Sequence, residues 1–143
     1  MKPFVALVAL ISVICISCNN GDTVNTTEMA DTANYNTIQW MDSLANFGTI
    51  PMGKQVQVVF RFQNTGTKPL YLADVKAGCG CTVPDYTKGA IAPGGEGVVT
   101  GAFDSNKSHP GEVRKNIFVT TNTRNGKDHT LIFTGIINEK VAN

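Results

Sequence analysis

The chain has 143 residues, 42% of them hydrophobic, 16% charged and 8% aromatic, with 12 Lys and Arg set against 11 Asp and Glu. That length accommodates one domain, and the composition excludes both wholesale disorder and a multi-span membrane protein. A net charge of +1 supplies no basic field for nucleic acid and no acidic one for cations or basic partners.

Residues 1–17 read as an export signal. Lys2 gives a positive start, and Phe4 to Ile16 is an apolar run broken only by Ser12 before polar sequence begins. As a helix this run of 13 residues reaches about 20 Å, short of the ~30 Å hydrocarbon core that a permanent span must cross. It ends in Cys15-Ile16-Ser17-Cys18-Asn19-Asn20, which resembles a bacterial lipobox with Cys18 as the lipidated residue. Cys15 stands where such motifs usually have Leu, and the bulky Ile14 before it makes Cys15 itself a poor acceptor. The resemblance implies diacylglycerol on the Cys18 sulfur and a third, palmitate-type chain on its new amine. Two or more such chains hold a protein on a membrane. Asn19 after the cysteine resembles lipoproteins that leave the inner membrane, which implies an outer-membrane location on the periplasmic or surface face. Cleavage also removes Lys2 and leaves the two signs of charge balanced.

Residues 18–36 form the expected tether. Asn, Thr and Asp dominate Asn19 to Asn36 without hydrophobic periodicity, and a flexible segment of that length reaches roughly 20–25 Å. Asp22-Thr23-Val24, Asp31-Thr32-Ala33 and Asp42-Ser43-Leu44 resemble short bacterial O-glycosylation acceptors, a three-residue pattern that a Thr-rich stretch also produces by chance.

From Thr37 the periodicity becomes 2, and 14 Gly with abundant Thr and Val favour strands and turns. Thr37–Trp40 and Phe47–Ile50 are the first expected strands. In Gln55–Asn64, Val56, Val58, Phe60 and Phe62 alternate with polar Gln55, Gln57, Arg61 and Gln63, so one face is apolar. Turn residues Asn64 to Pro69 lead into a strand over Leu70–Lys76, followed by a Gly-, Cys- and Pro-rich connection and the turn Ala92-Pro93-Gly94-Gly95. Val98–Phe103, Val113–Thr121 and Leu131–Ile137 complete the set, with Arg124-Asn125-Gly126-Lys127 as a hairpin turn. About seven strands over residues 37–138, with a tail at 139–143, is the pattern of an all-β, immunoglobulin-like antiparallel sandwich. Its expected core is Trp40, Phe47, Phe60, Phe62, Phe103, Val119, Leu131 and Phe133.

Phe47-Gly48-Thr49-Ile50 with Gly53, Phe60 to Gly66, Pro69-Leu70, Cys79-Gly80-Cys81-Thr82, Ile91 to Gly94 and Val119 to Asn122 occur in that order. Together they resemble the domain of unknown function family 1573. The resemblance implies an immunoglobulin-like sandwich related to eukaryotic cilium- and sperm-associated repeats, often on secreted or lipid-anchored bacterial proteins, with no established biochemical role. Ala77-Gly78 replaces the family's usual Ala-Ser, and Pro84 to Thr87 replaces a Trp- and Pro-rich run.

Cys79 and Cys81 are the only chemically distinctive pair, and three readings stand open. In an extended strand their Cβ atoms would lie about 6.6–7 Å apart, too far for the ~3.8 Å of a disulfide, so a bridge requires a tight turn, which Gly78 and Gly80 permit. Alternatively they are two packed thiols. The third reading is a soft metal site, in which the two thiolates bind Cu(I) linearly or recruit His109, His129 or Met52; zinc is disfavoured, because no second ligand pair is present.

No hydrolase or P-loop motif is present, and no carboxylates are paired at motif spacing. Pro93 to Gly97 lacks the Lys and helix of a phosphate cradle, and the neighbours Ser108 and His109 would point to opposite faces of a strand. The expectation is therefore a lipid-anchored cell-envelope module that is not an enzyme and needs no cofactor. Its partners would be the membrane, through the lipid, and an envelope protein or glycan. The rival expectation is thiol redox or copper handling at the Cys-Gly-Cys pair.

Overall fold

The computed structural model describes residues 36–139. Their strands in chain order are β1 (Ile38–Trp40), β2 (Leu44–Pro51), β3 (Gln55–Asn64), β4 (Leu72–Ala77), β5 (Thr82–Tyr86), β6 (Glu96–Asp104), β7 (Gly111–Thr121) and β8 (Asp128–Asn138), with a 3-10 turn at Ser105–Lys107. The expected export signal, Cys18, Thr23 and Thr32 lie outside the described residues, as does all of the tether except Asn36.

Two four-stranded sheets, β1-β3-β6-β5 and β2-β8-β7-β4, pack as an immunoglobulin-like sandwich. Every pairing is antiparallel except β2 with β8. That departure from the antiparallel expectation arises because β1 and β2 are halves of one edge strand. The chain leaves β3 after Trp40, crosses between the sheets and continues beside β8, covering an edge that would otherwise be open.

β5 is the strand absent from the sequence reading. It lies in the Gly-, Cys- and Pro-rich connection, and Pro84 is tolerated because β5 is an edge strand paired only to β6, where one flank needs no N–H donor. Leu70, expected to open a strand, instead forms a separate bridge with Ile91 ahead of β4.

Phe60, Phe62, Phe103, Val119, Leu131 and Phe133 are fully buried, as their phase on the strands predicts, while Trp40 and Phe47 pack half-buried against them. Each such apolar side chain contributes about 1.5–3 kcal/mol by leaving water. Large rings are accommodated by glycines on the inward phase. A Cβ on Gly97 would strike the Phe62 ring, and one on Gly101 would sit 2.8 Å from Ile117 Cδ1.

A bulge follows Phe47 in β2. The pairing of β2 with β8 shifts between Asn46 and Thr49, where Gly48 has φ 75° and donates its N–H to Asn46 Oδ1 at 2.7 Å. Phe47 shares the inward phase of Ala45 and lies over Gly135, with its ring centroid 5.4 Å from Phe103 and 6.3 Å from Phe133, and the shift re-phases the strand so that Ile50 is the next residue buried.

One end of the sandwich is held by buried amides. Asn64, fully buried, donates Nδ2 to the carbonyls of Lys68 and Ile91, each at 2.8 Å. Its Oδ1 accepts from Asn36 Nδ2 at 2.6 Å and from Gly66 N at 3.0 Å. Asn122 ties the same end together, accepting from Tyr71 N at 2.8 Å and donating to Pro69 O at 3.1 Å.

Candidate functional site

The turn joining β4 to β5 brings Cys79 and Cys81 together as a disulfide. Their Cα atoms are 5.3 Å apart, closer than two strand residues at this spacing and within the range a bridge requires. Backbone hydrogen bonds fix both ends of the turn, from Gly78 N to Asn116 O and from Asp104 N to Cys81 O, each at 2.9 Å. Cys81 is only 4% exposed, whereas Cys79 is half-buried and Gly78 and Gly80 face solvent. Thr82 Oγ1 lies 3.6 Å from Cys79 Sγ and 3.8 Å from Cys81 Sγ.

A loop closed by residues two apart removes little freedom from the unfolded chain, about 1.6 kcal/mol by loop entropy. The double variant Cys79→Ser/Cys81→Ser is therefore expected to lose no more than that in urea denaturation. A loss of several kcal/mol would make the bridge a staple of the fold.

Neither suggested histidine joins the two cysteines. Among the described residues no three His, Cys, Asp or Glu side chains cluster, and bonded cysteines have no thiolate to offer. His109 is exposed in the β6–β7 connection, and Met52 packs half-buried against the core. His129 sits beside the β7–β8 turn, its Nε2 3.2 Å from Thr121 Oγ1 and 3.3 Å from Thr123 Oγ1, and its ring 5.8 Å from that of Trp40.

Burial pushes the His129 imidazole below its ordinary value of about 6.5, only partly offset by a hydrogen bond to the Gly126 backbone and by the charge of Asp128. The unfolded chain therefore takes up this proton first as the pH falls. Stability from His129 is complete above about pH 6.5 and is lost as the pH drops from there through the folded value. Melting curves between about pH 7.5 and 5 should show a shallower acid loss in His129→Gln than in the parent; parallel curves would remove His129 as a cause.

A second feature lies on the outer face of the β2-β8-β7 strands. Where the bulge parts β2 from β8, the surface dips into a trough of about 560 Å³ lined by Asn46, Thr49, Glu112, Arg114, Thr134 and Ile136, among others. Ile136, 44% exposed, lines it; Leu44, 62% exposed, stands two residues before the lining residue Asn46, and Phe118, 48% exposed, lies two rows beyond Arg114 toward the cysteine turn. Leu44 lies opposite Ile132, and Phe118 lies one row along on β7.

The family model described as "Protein of unknown function (DUF1573)" matches residues 38–137, which span the sandwich from the start of β1 to the last residue but one of β8. The chain belongs to the DUF1573 family. No curated protein matches it in sequence. Among solved structures, this DUF1573 domain is similar to a protein of unknown function from Porphyromonas gingivalis W83, at 15% identity and a TM-score of 0.65, over 74% of this chain and 49% of that one. It is also similar to the Vibrio cholerae VesB protease, at 20% identity and a TM-score of 0.57, over 69% of this chain and 31% of that one. The PapD-like domain 7 of human CEP192 matches at 12% identity and a TM-score of 0.51, over 99% of this chain and all of that domain. The DUF1573 chain thus spans about half the length of the first and under a third of the second. At these identities the likeness is one of fold.

Sequence reasoning about this DUF1573 domain passed over Ser105 and the bulge at Phe47-Gly48. The fully buried Ser105 hydroxyl donates to Lys54 O at 2.7 Å and accepts from Gly53 N at 2.9 Å, locking the β2–β3 turn to the end of β6. Its placement makes it a structural clamp. The available signal for the bulge was Gly135, a gap in the inward stripe of Leu131, Phe133 and Ile137.

Proposed function

We propose that this chain is a lipid-anchored module of the bacterial cell envelope, held by Cys18 and acting by binding an envelope partner. The anchor rests on the export run and lipobox-like residues of the sequence. The observation that carries the binding reading is the trough on the β2-β8-β7 face, with Ile136 exposed in its lining and Leu44 exposed beside it. Large apolar side chains grouped about a concave surface favour protein contact over an idle surface. Glu112 and Arg114 at the same trough would add polar specificity.

Two measurements test this. Mass spectrometry of the native protein is expected to find an N-terminus at acylated Cys18; a start at Asn19, or no acyl mass, overturns the anchor. A photo-crosslinking residue at Ile136 is expected to capture a discrete envelope partner, and Leu44→Asp should reduce that capture at least about tenfold, as for an interface anchor. Equal capture from a control position on the outer face of β3, such as Gln57, would overturn the assignment of this face.

A further inference from the structure

We propose that Cys79 and Cys81 form a thiol–disulfide exchange site that accepts two electrons from a partner dithiol. The proposal stands apart from the binding reading and requires neither the anchor nor the trough.

The bond has little structural work to do. Its loop closes over a sequence separation of 2, and the turn is clamped independently by Gly78 N to Asn116 O and by Asp104 N to Cys81 O. Opening the sulfurs leaves both clamps in place, so reduction need not unfold the domain. Very short loops constrain the unfolded chain least, which makes their bonds readily exchanged.

The two sulfurs are also unequal, as directional exchange requires. Cys79 is half-buried, and exposed Gly78 and Gly80 flank it; at Gly80 a Cβ would meet nothing within 4 Å, so an incoming group has open approach. Cys81 is buried among the core side chains and closed to attack, so it is the sulfur released when Cys79 is attacked. Thr82 Oγ1, within reach of both sulfurs, can donate to whichever becomes a thiolate.

The step balances. A partner thiolate attacks Cys79 Sγ, the Cys79–Cys81 bond breaks, and Cys81 Sγ leaves with the electron pair under the Thr82 hydroxyl. The partner's second thiolate then attacks its own sulfur in the mixed disulfide and releases Cys79. The partner ends as a disulfide, and each cysteine of the pair takes one of the two protons that the dithiol gave up. Thr82 acts here as a positioning residue.

The full chain can be equilibrated in glutathione buffers of stepped ratio, quenched, alkylated and digested. The tryptic peptide Ala77–Lys88 carries this pair apart from Cys15 and Cys18. The expected result is reversible passage from no to two alkyl groups within the range of ratios that glutathione can set, with the reduced chain still melting cooperatively. Three results would each overturn the proposal: a bond that persists in excess reduced glutathione, a pair that stays alkylatable under oxidising buffer, or a domain that unfolds on reduction. Kinetically, Thr82→Val should slow opening by a dithiol probe, dithiothreitol, about tenfold, with Thr82→Ser restoring it to within about twofold. Equal rates for all three would exclude a role for Thr82.

Discussion

Replacing Gly135 with alanine is expected to destabilise the domain by about 3–5 kcal/mol, as much as deleting a core aromatic ring. The new Cβ would fall within the Phe47 ring, with Cε2, Cδ2 and Cζ as its nearest neighbours. Neither side can give way cheaply. Gly135 is paired with Val113 across the ladder, and Phe47 is held between the bulge at Gly48 and the Phe103 and Phe133 rings. The ring must leave the core, taking with it the stacking on Phe103. A double-mutant cycle separates this cause from a general intolerance of β8. If expulsion of Phe47 is the whole effect, Phe47→Ala/Gly135→Ala will be no less stable than Phe47→Ala alone in urea denaturation. A Gly135→Ala variant within about 1 kcal/mol of the parent would refute the account.

Asn64→Ala is expected to cost about 3 kcal/mol, a fall of roughly 12–24 °C in melting temperature for a domain of about 100 residues. Asn64 uses both amide hydrogens and accepts two bonds on its oxygen, all at a position closed to water. Truncation removes one of two bonds at the carbonyls of Lys68 and Ile91, which keep Asn36 Nδ2 and Leu70 N, and takes the acceptor from the Gly66 N–H and from Asn36 Nδ2; bonds lost in a site closed to water carry a penalty that an apolar replacement cannot recover. Asn64→Asp should also destabilise, because a carboxylate cannot donate to the two carbonyls. By contrast, breaking the exposed Arg61–Asp42 pair, at 2.8 Å, should change little. Thermal melts of Asn64→Ala and Asp42→Ala side by side give the comparison; equal shifts would mean that the buried amide is not a hub.

The strands and most of the core were legible because alternation of apolar and polar residues is itself the fold's burial pattern. Gln55 to Asn64 is the clearest case: the inward phase that buries Phe60 and Phe62 also buries Asn64. An asparagine on that phase was the visible sign of a polar hub, but its partners are carbonyls 4 and 27 residues away, which no local pattern specifies. β5 was hidden because Pro84 carries the same local signal whether it ends a strand or lies on an edge, and only the sheet order distinguishes these. The cysteine turn was legible as chemistry but not as geometry. Spacing showed that a bridge needs the chain to contract, while the contraction to 5.3 Å depends on Asn116 and Asp104 gripping the turn from other strands. The trough had no sequence signature, since its lining comes from three strands and its depth from a two-residue bulge.

The division of one edge strand into β1 and β2 also determines how the domain meets mechanical load. A pull that separates Asn36 from Glu139 first meets the Asn36–Thr123 bridge and then β1, whose three register pairs with β3 are few enough to yield early. The load then passes to β2, which runs parallel to β8, so the two strands are drawn from opposite ends and their rungs are stretched together rather than one by one. Single-molecule extension should accordingly record a soft early yield followed by a stiff, abrupt rupture. The short strand would serve as a fuse, and the parallel pair as the clasp that keeps the sandwich closed under tension.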